Sequence, residues 1–246
     1  MHKASEALAA GADYHLFGPR STILKASKPV IPIYAVRTGA GKSPVTRIIA
    51  LFLKNLGFRT VIIRHPMPYG ILKKQVLQRF EKLEDLDKNE ATIEEGENYE
   101  PHIRNGFVVF AGVDYEKVLK AAESEADIVL WDGGNNDFSF IESDLYITVA
   151  DAYRPGHELI YHPGETNFRL ADAIIINKID KVSAKNVAQI LANVKSLNPN
   201  AEVVRTRLRA TIEEPSAIRG KRVLAIEDGP TVTHGGMKFG AALHSS

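Results

Sequence analysis

The chain has 246 residues, a net charge of +1 and no cysteine. That length supplies core enough for one large α/β domain or two small ones. The near-neutral balance directs no field at nucleic acid or a membrane surface, and the missing thiols exclude disulfides, thiolate metal sites and a cysteine nucleophile. No apolar run approaches membrane-spanning length, and the N-terminus lacks a signal peptide's apolar stretch, so a cytoplasmic protein is expected.

Residues 1–27 open with MHKASEALAAGADYH, a short amphipathic helix pattern, and are expected to be an N-terminal helical segment left from a longer N-terminal region. The run KPVIPIYAV (28–36) reads as a strand beginning near Ile33, because Pro29 and Pro32 cannot donate to a ladder. A helix over Ser43–Leu56 follows, with Val45, Ile48, Ile49, Phe52 and Leu56 on one face and Gly57 as its stop. Pro44 is tolerated in the first turn, where its missing N–H is not needed. RTVIIRHP (59–66) is a second buried strand.

Residues 67–105 form a long charged connection, read as an insertion or lid within a nucleotide-binding domain spanning 28–246. It contains a predicted helix with Leu72, Val76, Phe80 and Leu83 on a face, and the acidic run IEEGENYE, read as a solvated surface or a closing flap. GFVVFAG (106–112), DIVLWDGG (127–134), DLYITVAD (144–151), DAIIINKID (172–180), AEVVRTR (201–207) and KRVLAIEDG (221–229) complete the strands. Asp114 and Ser183 are positioned to cap helices; Val187, Ile190, Leu191 and Val194 keep helical register after Ser183. Unalternating apolar strands separated by helices predict an α/β fold, a mostly parallel sheet with helices on both faces, P-loop NTPase-like.

The stretch AVRTGAGKSP carries the chemistry. Gly39, Gly41, Lys42 and Ser43 lie between a strand and a helix, as a phosphate-binding P-loop requires. Glycines let the backbone turn its N–H groups around a phosphate, and the helix N-terminus adds partial positive charge. The first glycine of that motif is replaced by Val36, at the strand exit. Lys42 can reach terminal phosphates and Ser43 can ligate Mg2+.

Asp132, in VLWDGGNND, occupies the magnesium-side acid position after an apolar strand. Asn135 stands where a GTPase switch has glycine. Asn177, Lys178 and Asp180 form NKID, which in P-loop GTPases reads guanine, so GTP stands beside ATP as a candidate nucleotide. Arg64, His65, Arg154 and His157 fall at or just past strand carboxyl ends, where ligands bind in parallel sheets. With His234, in DGPTVTHGG, they are expected to gather an anionic second ligand. The histidines have no HxH or HExxH spacing for zinc.

Taken together, AVRTGAGKS, IIRHPMPYG, ATIEEGENYEPHI, WDGGNND, DAYRPGHE, INKID and DGPTVTHGGMKFGA resemble the cyclic 2,3-diphosphoglycerate synthetase family over about residues 5–243, as its central nucleotide-binding portion. The resemblance implies an ATP- and Mg2+-dependent ligase that closes the intramolecular phosphoanhydride of 2,3-bisphosphoglycerate. It makes Arg37, Thr38, Gly39, Ala40, Gly41, Lys42 and Ser43 the phosphate loop. Asp132 becomes the magnesium-side acid, and Arg64, His65, Arg154 and His157 neighbours of the second substrate. Lys42, Asp132 and Arg64 are the expected catalytic groups. The expected partner is a phosphorylated small molecule, with no nucleic acid or membrane and with a homodimer left open. NKID keeps a GTP-hydrolysing regulatory or metal-delivery protein as the alternative, beside a nucleotide-binding module without full activity.

Overall fold

The computed structural model describes residues 2–67, 70–209 and 214–224, together with 226, 232, 236, 237 and 240. In chain order the elements are α1 (His2–Ala9), β1 (Val30–Ala35), α2 (Lys42–Asn55), β2 (Thr60–Arg64), β3 (Gln78–Phe80), α3 (Glu84–Lys88), α4 (Ile93–Arg104), β4 (Val108–Ala111) and α5 (Tyr115–Glu125). There follow β5 (Ile128–Asp132), β6 (Ile147–Asp151), α6 (Gly164–Leu170), β7 (Ala173–Asn177), α7 (Ala184–Leu197), β8 (Glu202–Arg205) and α8 (Pro215–Ile218).

The strands form one sheet in the order β3-β4-β2-β5-β1-β6-β7-β8. Every pair is parallel except the β3–β4 edge pair. Both faces are covered, as uninterrupted apolar strands require. Tyr34, Trp131, Phe110 and Ile174 pack on one side with Val118 of α5, Phe168 of α6 and Ile190 of α7. Ile33, Ile62, Leu130 and Val109 pack on the other with Val45 and Leu53 of α2 and Tyr99 and Ile103 of α4. The fold is α/β and P-loop-like. The carboxyl ends of β1, β2, β5, β6 and β7 therefore share one edge. Ser183 and Asp114 cap α7 and α5 as expected, accepting from the N–H groups of Asn186 and Lys117.

Five expectations change. β1 starts at Val30, three residues before Ile33, and runs through Pro32. Val30 and Val36 direct their polar backbone groups to the β6 side, and Pro32 shares their parity. Since β6 pairs with β1 only from Ile33 onward, no ladder bond is lost at the proline.

The buried face of α2 is Val45, Thr46, Ala50 and Leu53, not the face centred on Ile48 and Phe52, which are 64% and 61% exposed. The helix is apolar around much of its circumference, so periodicity alone did not orient it. The segment predicted as a helix through Phe80 contributes instead the edge strand β3. There Gln78 and Phe80 are buried while Arg79 reaches Glu125 at 2.8 Å, a period-2 pattern.

The acidic run is helix α4. Thr92 and Glu95 close a capping box at its start, satisfying two backbone donors reciprocally. Finally, Lys221–Leu224 carry no strand; the rest of the predicted strand 221–229, apart from Ile226, lies outside the described residues.

Candidate functional site: a braced P-loop between two buried aspartates

The loop after β1 is held from one side by three side-chain donors. The Arg154 guanidinium donates to the Thr38 carbonyl at 2.7 Å, the Lys178 ammonium to that of Gly39, and the Asn177 amide to that of Ala40 at 2.9 Å. Because the trans peptide sets N–H opposite the preceding C=O, the amides of Gly39 and Gly41 then point the other way, into the loop. Gly39 and Gly41 have φ of +81° and +99°, values costly for a residue with a side chain. A Cβ on Gly41 would also lie 2.1 Å from the Asn177 amide nitrogen. Val36, in place of the first glycine, is buried and continues the ladder, its N–H donating to Val149 at 3.1 Å. No side chain caps the α2 N-terminus.

The brace is anchored on Asp151, which is 1% exposed. Its carboxylate accepts from Arg154 Nε at 2.9 Å and from the Tyr153 N–H at 3.1 Å, with Lys178 Nζ at 3.4 Å. Lys178 takes a left-handed φ of +64°, which turns its side chain back toward the loop. Burial lowers its pKa, opposed by Asp151. Asp180 is exposed beyond it.

On the other side of β1 lies Asp132, also 1% exposed, at the end of β5. Oδ1 accepts from Lys42 Nζ and from Thr46 Oγ1 at 3.0 Å. Oδ2 accepts from Arg64 at 2.7 Å and faces His102 Nε2 at 3.3 Å. Burial opposes the charge on Asp132, but Lys42, Arg64 and His102 outweigh it and hold the carboxyl well below its usual range. Lys42 is pushed down to about 8, first by burial and then by the nearby Arg64 charge, although Asp132 pulls the other way.

Arg64 and Arg154 thus flank the P-loop in two separate ion-pair groups. His157 follows Arg154: its Nδ1 lies 3.0 Å from the Arg37 guanidinium, which also stacks 4.6 Å above the Tyr161 ring. A guanidinium only donates, so Nδ1 accepts and the imidazole is neutral with its proton on Nε2. Burial, Arg37 and Arg154 all lower its pKa. His65 stands on the Asp132 side, with Nδ1 3.3 Å from Asp137. Ser43 and Thr38 are half-buried in the loop. His234 lies outside the described residues.

Several residues of the site carried no recognised motif. Thr46 lies one helical turn after Lys42. Asp151 anchors the brace. Glu95, Tyr99 and His102 are buried on α4; their i, i+4, i+7 spacing was the available signal, hidden by the acidic neighbours.

Among the described residues no group of three or more His, Asp or Glu side chains could hold a metal by itself. Mg2+ asks for less, typically one or two carboxylates beside phosphate oxygens, and Asp132 and the Ser43 hydroxyl are oxygen donors of the kind it takes. The loop glycines and the uncapped α2 start fit a nucleotide's phosphates equally.

Residues 104–207 match the family model described as cyclic 2,3-diphosphoglycerate synthetase, P-loop domain. Over that stretch, less than half of its length, the chain is similar to that family's P-loop domain. It is 60% identical over 241 residues to Arginine synthetase ArcE of Thermococcus kodakarensis, covering 98% of this chain and 54% of that protein. It is 27% identical to cyclic 2,3-diphosphoglycerate synthetase of Thermococcus sibiricus, over 89% of this chain and 54% of that protein. The chain therefore spans about half the length of these curated relatives. Among solved structures, hydrogenase maturation factor HypB of Archaeoglobus fulgidus is similar over 72% of this chain and 80% of that one, at 17% identity and a TM-score of 0.45, too distant to bear on function. No helix among the described residues is long and apolar enough to cross a membrane.

Proposed function

We propose that the chain is the nucleotide-binding and phosphoryl-activating part of an ATP-dependent synthetase whose product is arginine. The observation behind the catalytic half of this reading is the P-loop brace with Lys42 delivered to Asp132. Arginine as product rests on the 60% identity to the protein named arginine synthetase, against 27% to the one named for the cyclic phosphoanhydride.

In this reading Lys42 leaves Asp132 and neutralises the terminal phosphates. The amides of Gly39 and Gly41 hold the phosphate chain, and Asp132 and Ser43 would hold Mg2+, which would supply neutralisation of phosphate charge. Arg64 stays on Asp132 and keeps it ionised. Phosphoryl transfer to an acceptor oxygen converts that oxygen into a leaving group. The incoming nucleophile then forms its bond to carbon as the C–O bond breaks and phosphate departs with the electron pair. The protein supplies position and electrostatics, with no covalent intermediate on a side chain.

The test runs the reaction backward on a polypeptide of the relatives' full length that carries this chain. L-Arginine, ADP, phosphate and Mg2+ should yield ATP, and Lys42→Ala should abolish it. ADP release that depends on 2,3-bisphosphoglycerate and ATP, with no arginine-dependent ATP, would return the cyclic product. Competition of GTP against ATP decides whether the exposed Asp180 reads the base.

A further inference from the structure

α4 turns an unusual face inward. Glu95, Tyr99 and His102 are 2%, 1% and 1% exposed, and on a helix these positions share one side. A helix packed purely as core presents apolar residues there. Glu95 is spoken for: its carboxylate accepts from the Met67 N–H at 2.8 Å and the Thr92 N–H at 2.8 Å. The others are not. The Tyr99 hydroxyl, His102 Nδ1, Arg64 Nε and Gln75 Oε1 are all buried without a hydrogen-bond partner among the described residues.

Leaving a buried polar group unsatisfied costs about 1–3 kcal/mol each, so such groups need a reason to exist. These four share one neighbourhood. Arg64 and His102 meet on Asp132, Tyr99 feels the charges of Glu95, Arg64 and Asp132, and the Gln75 amide donates to the Met67 carbonyl beside Glu95 at 3.3 Å. Asp132 in turn touches Lys42, so the cluster begins one carboxylate away from the nucleotide's terminal phosphate.

We infer that Arg64, Gln75, Tyr99 and His102 form the subsite for the acceptor substrate, and that it takes a neutral or cationic polar molecule and not a polyanion. The inference rests on the synthetase reading above and deepens it. The charge decides the class. Lys42 and Mg2+ are offset by the nucleotide's own phosphates, which leaves Arg64, paired to Asp132, as the fixed cation of this cluster among the described residues, against the carboxylates of Asp132 and Glu95. A bisphosphorylated acid would meet net repulsion there, whereas a small molecule with both N–H donors and an oxygen acceptor satisfies all four orphaned atoms.

The experiment measures binding by calorimetry with two probes, L-arginine and 2,3-bisphosphoglycerate, in the presence of ADP and Mg2+. It uses the full-length protein as wild type, Tyr99→Phe and Gln75→Leu. These two changes remove a polar atom with little change of shape, and His102→Gln serves as a third. The expected result is arginine binding by the wild type, weakened at least tenfold in Tyr99→Phe and Gln75→Leu, with ADP affinity within twofold of wild type. Wild-type arginine binding that none of the variants alters overturns the subsite alone. Tighter binding of 2,3-bisphosphoglycerate than of arginine overturns the charge class. Wild-type protein that binds neither probe overturns both the subsite and the function it rests on.

Discussion

Two buried aspartates end neighbouring strands on either side of β1, and they are put to different uses. Asp151 gathers Arg154 and Lys178, and both of these reach onward to P-loop carbonyls. Asp132 gathers Lys42, Thr46, Arg64 and His102, and around it several polar atoms have no partner among the described residues. By residue type the two groups look alike: a carboxylate ringed by cations at the carboxyl edge of a parallel sheet. The hydrogen-bond accounting separates them. A group whose donors are satisfied holds the backbone in shape; the one with orphaned atoms is where we infer a ligand.

The comparison can be broken most strongly at the carboxylates. Asp132→Asn leaves Lys42 and Arg64 buried without a countercharge, and loss of one member of a buried pair costs about 3–5 kcal/mol. Urea unfolding of the nucleotide-free protein should register a loss in that range, and Asp151→Asn should cost less because Arg154 and Lys178 keep carbonyl acceptors. Equal losses would mean that the two groups are not different in kind.

Next in size is Lys42→Ala, which removes a charge-assisted contact to phosphate worth about 1.5–3 kcal/mol. Calorimetry should find ATP affinity lower by that amount. Unchanged affinity would deny the loop its phosphate role.

Arg154→Ala sharpens the contrast further. If Arg154 is a positioning residue acting through Thr38, nucleotide affinity should weaken by about 0.5–1.5 kcal/mol while the requirement for the acceptor stays put, and Arg154→Lys should recover part of the loss. A raised acceptor KM with intact nucleotide affinity would move Arg154 to the second ligand, as its position at a strand end first suggested.

The smallest effect is at the exposed pair that serves as the control. Asp127 is bonded to Arg59 at 2.6 Å, and those hydrogen bonds lower its pKa to about 2. A carboxylate with a depressed folded pKa contributes stability above its unfolded pKa near 4 and loses it as pH falls toward 2. Asp127→Asn should therefore flatten only that acid limb of the stability–pH curve, slightly, since surface pairs contribute little. A change near neutral pH would show that the pair is coupled to the site.

Where the sequence was misread, the cause was local. β3 is short enough that a helical stripe through Phe80 fitted as well as an alternating edge strand. α2 is apolar on two sides, and the side that faces the sheet was settled by packing of Val45, Ala50 and Leu53. The acidic run carried a helix-start signal in Thr92 and Glu95 that the reading as a solvated surface or flap passed over. It concealed that Tyr99 and His102, three residues apart, would be carried to Asp132, which lies 30 positions from His102 along the chain.

What the sequence determined by itself was the class of fold and the location of the phosphate loop. Both are encoded within short windows: apolar runs of strand length, the glycines that permit positive φ, and the lysine that follows them. What only the tertiary structure decided was which partners each charged strand-end residue meets. Arg64, Arg154 and Lys178 are equivalent as letters after an apolar run. Their roles depend on which acceptor lies within hydrogen-bond reach across the sheet, and strand order, not sequence spacing, sets that distance.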